Sequence, residues 1–209
     1  MTKLSGATRR HGAVWVVLSG LVVTAGAGCQ QERRKLAYEP IWLKVKAVAV
    51  VPFVDAPGVQ AKGSGRVVVN AAIAELYRCP GVAVIEAARL KTILDELDLQ
   101  RMDRVDNTTA MKIGKRAGAD VVILGEVMQY EAQQEYSHGA VYAFAAGGTE
   151  HTHRVGLSVR AVNVSDARVI YARSGQGQSQ EGFAPAAEEA AREAVENLRL
   201  FFEEKYGSK

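Results

Sequence analysis

The fold is decided by the stretch TAMKIGKRAGADVVILGEV, which runs from Thr109 to Val127. The polar residues Asn107 to Thr109 offer N-caps for a short helix, and Gly118 stands where a helix can end in left-handed backbone. The apolar run that follows Asp120 is typical of a buried strand. A helix that leads directly into a buried strand predicts a domain of the α/β class.

Two strand and helix pairs are predicted upstream of this stretch. The strands lie at Lys46–Val54, which reads KAVAVVPFV, and at Val82–Ile85. Each is followed by apolar residues at helical spacing, the pattern of a helix that packs on a sheet. The two stripes are Val69, Ile73, Leu76 and Tyr77, and Leu90, Ile93, Leu94 and Leu97.

A hairpin and a long helix are predicted downstream. His151–Val164 alternates between apolar and polar residues, and Ser165 and Asp166 turn the chain into RVIYARSGQG. A final helix, with Pro185 near its start, has a stripe of Ala187, Ala190, Ala191, Ala194, Val195, Leu198, Phe201 and Phe202. The expected domain, residues 45–209, is therefore α/β (α+β) with a mixed β-sheet covered by helices, in the order β-α-β-α-α-β-β-β-α.

Composition and charge exclude several classes of protein. The chain has 209 residues, of which 48% are hydrophobic, and only two cysteines, so it is neither disordered nor a disulfide scaffold. Its net charge of +3 comes from Lys3, Arg9 and Arg10, because the rest of the chain has equal numbers of acids and bases. A neutral body offers no basic surface to a phosphate backbone, so we expect no nucleic-acid partner.

The N-terminus has the pattern of an export signal. Basic residues precede the apolar run Ala13–Ala25, which is shorter than the roughly 20 residues of a membrane-spanning helix, and small residues follow it. With Cys29 directly after Gly28, the segment resembles a bacterial lipoprotein signal. The resemblance implies a signal peptide at 1–28, acylation of Cys29 with palmitate among the lipids, and, from Gln30, an outer-membrane destination. The alternative is an uncleaved anchor with an incidental cysteine.

Residues 29–44 are expected to form a tether between the lipid and the domain, because their charges are mixed and their apolar residues have no clean period. If Cys29 carries lipid, Cys79 is the only other cysteine, so no disulfide can form within the chain. Cys79 precedes Pro80 in a predicted turn, and no nearby histidine would activate it. A structural role is therefore expected for Cys79.

Four phrases carry a resemblance to a known family. They are KAVAVVPF, VAVIEAARLKTILDELDLQ, TAMKIGKRAGADVVILGEV and VRAVNVSDARVIYARS, which begin at Lys46, Val82, Thr109 and Val159. They resemble the family of the curli secretion lipoprotein (CsgG), with the related LpoB-like and TolB N-terminal groups. The resemblance implies a non-enzymatic, periplasm-facing outer-membrane lipoprotein that binds protein partners in envelope assembly or secretion.

Channel-forming members of that family insert two β-hairpins, and this chain departs from their pattern. Each membrane strand needs about 9 to 11 alternating residues. Glu131–Glu150 holds one apolar run, Ala140–Ala146, and Gly175–Ala184 is short and polar. Tyr142 and Phe144 are candidates for partner or membrane contact, and packing on the domain is the alternative. The alternative function is a homo-oligomeric, curli-type export component that uses the 131–150 hairpin.

Three other groups of residues have a functional and a plainer interpretation. His151 and His153 share a strand face and could bind a metal, or be solvated polar residues. Gly63–Gly65 could cradle an anion or form a flexible turn, since no nucleotide-binding motif is present. Several acids fit caps and a solvated helix face better than acid chemistry: Glu86, Asp95, Glu96, Asp98 and Asp103. We expect no enzymatic activity, cofactor or metal.

Overall fold

A six-stranded mixed sheet forms the centre of the domain. The structure is a computed structural model that describes residues 36, 39–59, 63–85, 87–98, 105–136 and 149–207. The strands are β1 (Ala47–Val50), β2 (Val54–Asp55), β3 (Ala83–Val84), β4 (Val121–Tyr136), β5 (Thr149–Asn163) and β6 (Val169–Ser179). The helices are α1 (Glu39–Trp42), α2 (Ser64–Tyr77), α3 (Ala87–Glu96), α4 (Asn107–Ala117) and α5 (Phe183–Tyr206). Within the described ranges, every helix is too short or too polar to cross a bilayer.

The sheet has the order β3-β1-β4-β5-β6, and β2 pairs with β4 beside the end of β1. β1 is parallel to β3 and β4, whereas β4, β5 and β6 are antiparallel. The predicted mixed α/β architecture and element order are confirmed, with α1 and β2 as additional short elements. The predicted first strand is divided because its register with β4 shifts by one residue between Val50 and Val54, as at a β-bulge.

Both faces of the sheet are covered, which explains the continuous apolar runs. On one face, Val48 and Val50 belong to a core cluster that also includes residues of α2 and α5. On the other face, Ala49 and Val51 pack in a second cluster with residues of α3 and α4. Successive side chains along this strand therefore pack alternately into the two core clusters.

Helix α5 lies closest to the sheet at its alanine-rich start. A Cβ atom on Gly175 or Gly177 of β6 would overlap the carbonyl oxygens of Ala190 and Ala186. The Tyr171 hydroxyl donates to the carbonyl oxygen of Ala194 at 2.6 Å. Small residues on both elements allow this approach, while the large side chain of Phe202, 2% exposed, fills the space at the far end.

Some details of the predicted helices are wrong. Tyr77 is 60% exposed and Ile73 is only partly buried, whereas Val69 and Leu76 are buried as predicted, together with Val68 and Ala72. Phe201 is only partly buried. The cap of α4 is Asp106, whose side chain accepts from the N–H of Thr109 at 2.6 Å, one residue before the predicted caps. Gly118 ends α4 with φ 70°, as predicted.

Part of the predicted tether packs with the domain. Trp42 is 1% exposed, and its ring meets those of Tyr171 and Phe202 edge-on, at centroid distances of 6.3 and 6.1 Å. The Lys205 ammonium lies 3.4 Å from the Glu39 carboxylate. Residues 39–44 therefore belong to the folded domain, because the large apolar side chain of Trp42 packs in its core.

Candidate protein-binding surfaces

The two histidines do not come together with other metal ligands. His151 is exposed, whereas His153 is partly buried, with Nδ1 3.3 Å from the carbonyl oxygen of Ser179. The His153 ring also meets Phe183 edge-on at 4.6 Å, and Phe183 stacks on Tyr130 at 4.0 Å. In the part of the chain that the structure describes, no group of three or more potential ligands could hold a metal. His153 thus helps to close the end of the core.

The glycine-rich turn before α2 does cradle an anion, and this anion is the carboxylate of Asp55. The N–H groups of Gly63 and Gly65 each donate to Asp55 at 3.1 Å, and the Ser64 hydroxyl donates to it as well. Gly63 has φ 85°, so it is the backbone position where glycine is needed. The donors that an external phosphate would use are occupied by the protein itself.

Two of the acidic candidates have ion-pair partners. Lys91 lies 3.4 Å from Asp95, and Arg116 lies 3.4 Å from Glu96, which fits the expected solvated helix face. Asp98 adopts φ 54° after α3. Glu86 and Asp103 lie outside the described residues.

Cys79 is 2% exposed, and burial raises the pKa of its thiol to about 12. A protonated, buried thiol is a poor nucleophile, so the structural role that we expected for Cys79 is confirmed.

The β4–β5 hairpin extends beyond the rest of the sheet. β4 and β5 stay paired from Val121 and Asn163 out to Tyr136 and Thr149. β2 reaches only Val127, and β6 ends opposite His153. Residues 133–136 and 149–152, here called the hairpin stem, therefore form a two-stranded ribbon. Cys29, Tyr142, Phe144 and the run Ala140–Ala146 lie outside the described residues.

Side chains of α5 close the second half of the sheet edge at β6. The N–H of Gln176 donates to Glu193 Oε2 at 2.7 Å, and the N–H of Gln178 donates to Glu189 Oε2 at 2.9 Å. These N–H groups point away from β5, toward the side on which an added strand would bind. Two carboxylates of the same chain occupy that position instead.

Among the described residues, the opposite edge is unpaired over part of its length. β3 has two residues, and its ladder to β1 ends where the N–H of Ile85 donates to the carbonyl oxygen of Val48 at 2.8 Å. Beyond this point, residues 50–54 form the floor of a groove of about 850 Å³ between α2 and α3, here called the edge groove. Its walls include Val69 and Ile73 of α2 and Leu90 and Leu94 of α3.

Sequence reasoning missed both the closed edge and the edge groove. The short strand Val82–Ile85 and Pro52 were the available signals, since a brief edge strand and a proline both mark a place where a ladder stops. The positions of α2 and α3 around residues 50–54 depend on contacts that are distant in sequence.

Comparison with known proteins finds one family. The model of the curli production assembly/transport component CsgG matches residues 59–188. No curated protein matches the chain.

Solved structures with a similar fold include three bacterial proteins. The PelC dodecamer from Paraburkholderia phytofirmans is 16% identical, with a TM-score of 0.47 over 74% of this chain and 88% of PelC. Lipoprotein GNA1162 from Neisseria meningitidis is 15% identical, with a TM-score of 0.47 over 64% and 82%. The LpoB C-terminal domain from Escherichia coli is 14% identical, with a TM-score of 0.43 over 67% and 94%.

Proposed function

Because the chain belongs to the CsgG family, we propose that it is a non-enzymatic lipoprotein of the bacterial outer membrane whose domain binds protein partners in envelope assembly or secretion. The observation that carries this proposal is the family match, which spans residues 59–188 and thus more than half of the chain. The proposed anchor is lipid on Cys29, after removal of residues 1–28, with the domain facing the periplasm.

The chemistry of the described residues supports a binding role. Ser64 donates to Asp55, His153 faces a main-chain carbonyl, and Cys79 is buried. None of these side chains has the paired nucleophile and base that covalent catalysis requires. What the described part of the domain offers is surface: the hairpin stem and the edge groove.

The anchor is tested in bacteria that produce the full-length chain. We expect globomycin to block signal cleavage, and mass spectrometry of the mature N-terminus to show acylated Cys29. The variant Cys29→Ser should leave the outer-membrane fraction, while Cys79→Ser should stay in it. A Cys29→Ser protein that is cleaved and remains equally membrane-bound would contradict the lipid anchor.

A homo-oligomeric export component is a second candidate, favoured by the hairpin stem. An isolated two-stranded ribbon has marginal stability in water, so a ribbon that continues to Tyr136 is suited to pairing with other copies. This function predicts a ring-sized species in detergent and conductance in planar bilayers. A monomer without conductance would exclude this function and leave the partner-binding function in place.

A further inference from the structure

The edge groove is a surface to which neither the family match nor the proposed function assigns a role. We propose that it binds an extended segment of a partner protein, which adds to the sheet as a strand beside residues 50–54. This inference rests on the proposed function, since it names the surface and the kind of partner through which the lipoprotein would act.

The main chain at the groove floor is oriented to pair with such a segment. The N–H of Val51 donates to the carbonyl oxygen of Ile123 at 3.0 Å, so this peptide group faces β4. Within β1 alternate residues face opposite sides, which directs the main-chain groups of Val50 toward the groove. Pro52 has no N–H, so at this position the main chain can only accept a hydrogen bond from the added strand.

The walls of the groove select an alternating segment. Neighbouring side chains of a strand point to opposite faces of the sheet. α2 packs on one face and α3 on the other, so alternate residues of the added strand would contact Ile73 and the intervening residues would contact Leu94. Both side chains are only partly buried without a partner. Residues 50–54 span roughly 17 Å, which fits about five residues of the partner.

Charge at the rim points to an acidic residue in the segment. Arg66 lines the groove and is exposed, and it has no ion-pair partner among the described residues. Lys91, on the other wall, is paired with Asp95 at 3.4 Å. Among the described residues of the lining, the uncompensated charge is therefore positive, and it favours a partner with Asp or Glu beside Arg66.

The test uses the full-length protein in its own cells, with photoreactive benzoylphenylalanine at Ile73, at Leu94 or at the control position Leu200. Leu200 is 39% exposed on α5, far from the groove lining. We expect both groove positions to cross-link to one partner protein, within a stretch of about five residues. Cross-links from Ile73 should fall on every second residue, and those from Leu94 on the residues between them. A synthetic peptide of that stretch should compete, and a shuffled peptide should not.

Substitutions provide the second measurement. A carboxylate introduced by Ile73→Glu or Leu94→Glu would be buried beneath the added strand and should weaken binding of that peptide by at least about tenfold. Leu200→Glu is the matched control and should bind unchanged. Melting temperatures near that of the parent chain establish that these partly exposed sites tolerate the change.

Three results would overturn the proposal: groove cross-linking no stronger than at Leu200, cross-links scattered over a folded surface, or products that contain only lipid or a second copy of this chain. The anchor is judged separately by the mass of the mature N-terminus. Unmodified Cys29 with groove cross-links would refute the lipoprotein function and retain the groove, whereas acylated Cys29 without groove cross-links would do the reverse.

Discussion

At one edge of the sheet, the N–H groups of Gln176 and Gln178 in β6 donate to two glutamates of α5. At the other edge, β3 ends after two residues, and β1 lies beside a groove. An unprotected edge invites pairing with any extended chain. At the closed edge, two carboxylates of the same chain occupy the position where such a chain would pair. The open edge is recessed between two helices and carries Pro52, so only a narrow extended segment has access. At one edge, the chain itself occupies the outward main-chain groups. At the other edge, these groups are available to a partner strand.

The largest change is expected from Phe202→Ala, which removes a buried side chain near the end of α5. Loss of a buried phenylalanine should lower the free energy of unfolding by about 3 to 5 kcal/mol, out of a typical 5 to 15 kcal/mol. Denaturant unfolding measures this. Phe201→Ala, at a partly buried neighbour, is the control and should cost less. Equal costs would mean that α5 is not seated as described.

Gly177→Ala tests whether α5 must lie so close to β6. The new methyl group would overlap the carbonyl oxygen of Ala186, so α5 has to move, at a cost of about 1 to 3 kcal/mol. Gln176→Ala is the matched control, because its side chain points to the other face and its N–H can still donate to Glu193. A Gly177→Ala melting temperature equal to that of the control would show that the closed side is loosely packed.

Asp55→Ala tests how much the turn before α2, beside the open edge, depends on its bound carboxylate. The substitution removes the acceptor of three hydrogen bonds at the start of α2 and should cost about 0.5 to 2 kcal/mol. Asp55→Asn keeps one acceptor oxygen and should cost less. The vacated N–H groups also predict that phosphate raises the melting temperature of Asp55→Ala more than that of the parent chain. Equal shifts would mean that the turn does not bind anions.

The double variant Glu189→Ala, Glu193→Ala should have the smallest effect on stability, because both carboxylates are exposed. Its main effect should be concentration-dependent self-association, since the N–H groups of Gln176 and Gln178 become available to another strand. Light scattering coupled to size exclusion measures this. The double variant Glu181→Ala, Glu188→Ala removes the same two charges from exposed positions nearby and should stay in the parent's oligomeric state. Identical behaviour of the two variants would show that the glutamates do not protect the edge.

Periodic apolar patterns were sufficient to predict the main elements. The buried strand at Lys46–Val54, the hairpin after His151 and the stripe of α5 all follow from residues that are close in sequence. The closed edge at β6 and the edge groove could not be predicted in this way. Asp55 lies eight residues or more before the groups that donate to it. The hydrogen bonds from β6 to Glu189 and Glu193 join residues 11 and 17 positions apart. Trp42 was assigned to a tether because its partners, Tyr171 and Phe202, are distant in sequence.

The position of Trp42 has a mechanical consequence. A pull on the chain upstream of Glu39, such as the proposed lipid anchor would exert, would reach the Glu39–Lys205 ion pair and then the rings of Trp42, Tyr171 and Phe202. Tyr171 belongs to β6 and Phe202 to α5, so the load would be shared with these two elements before it reaches β1.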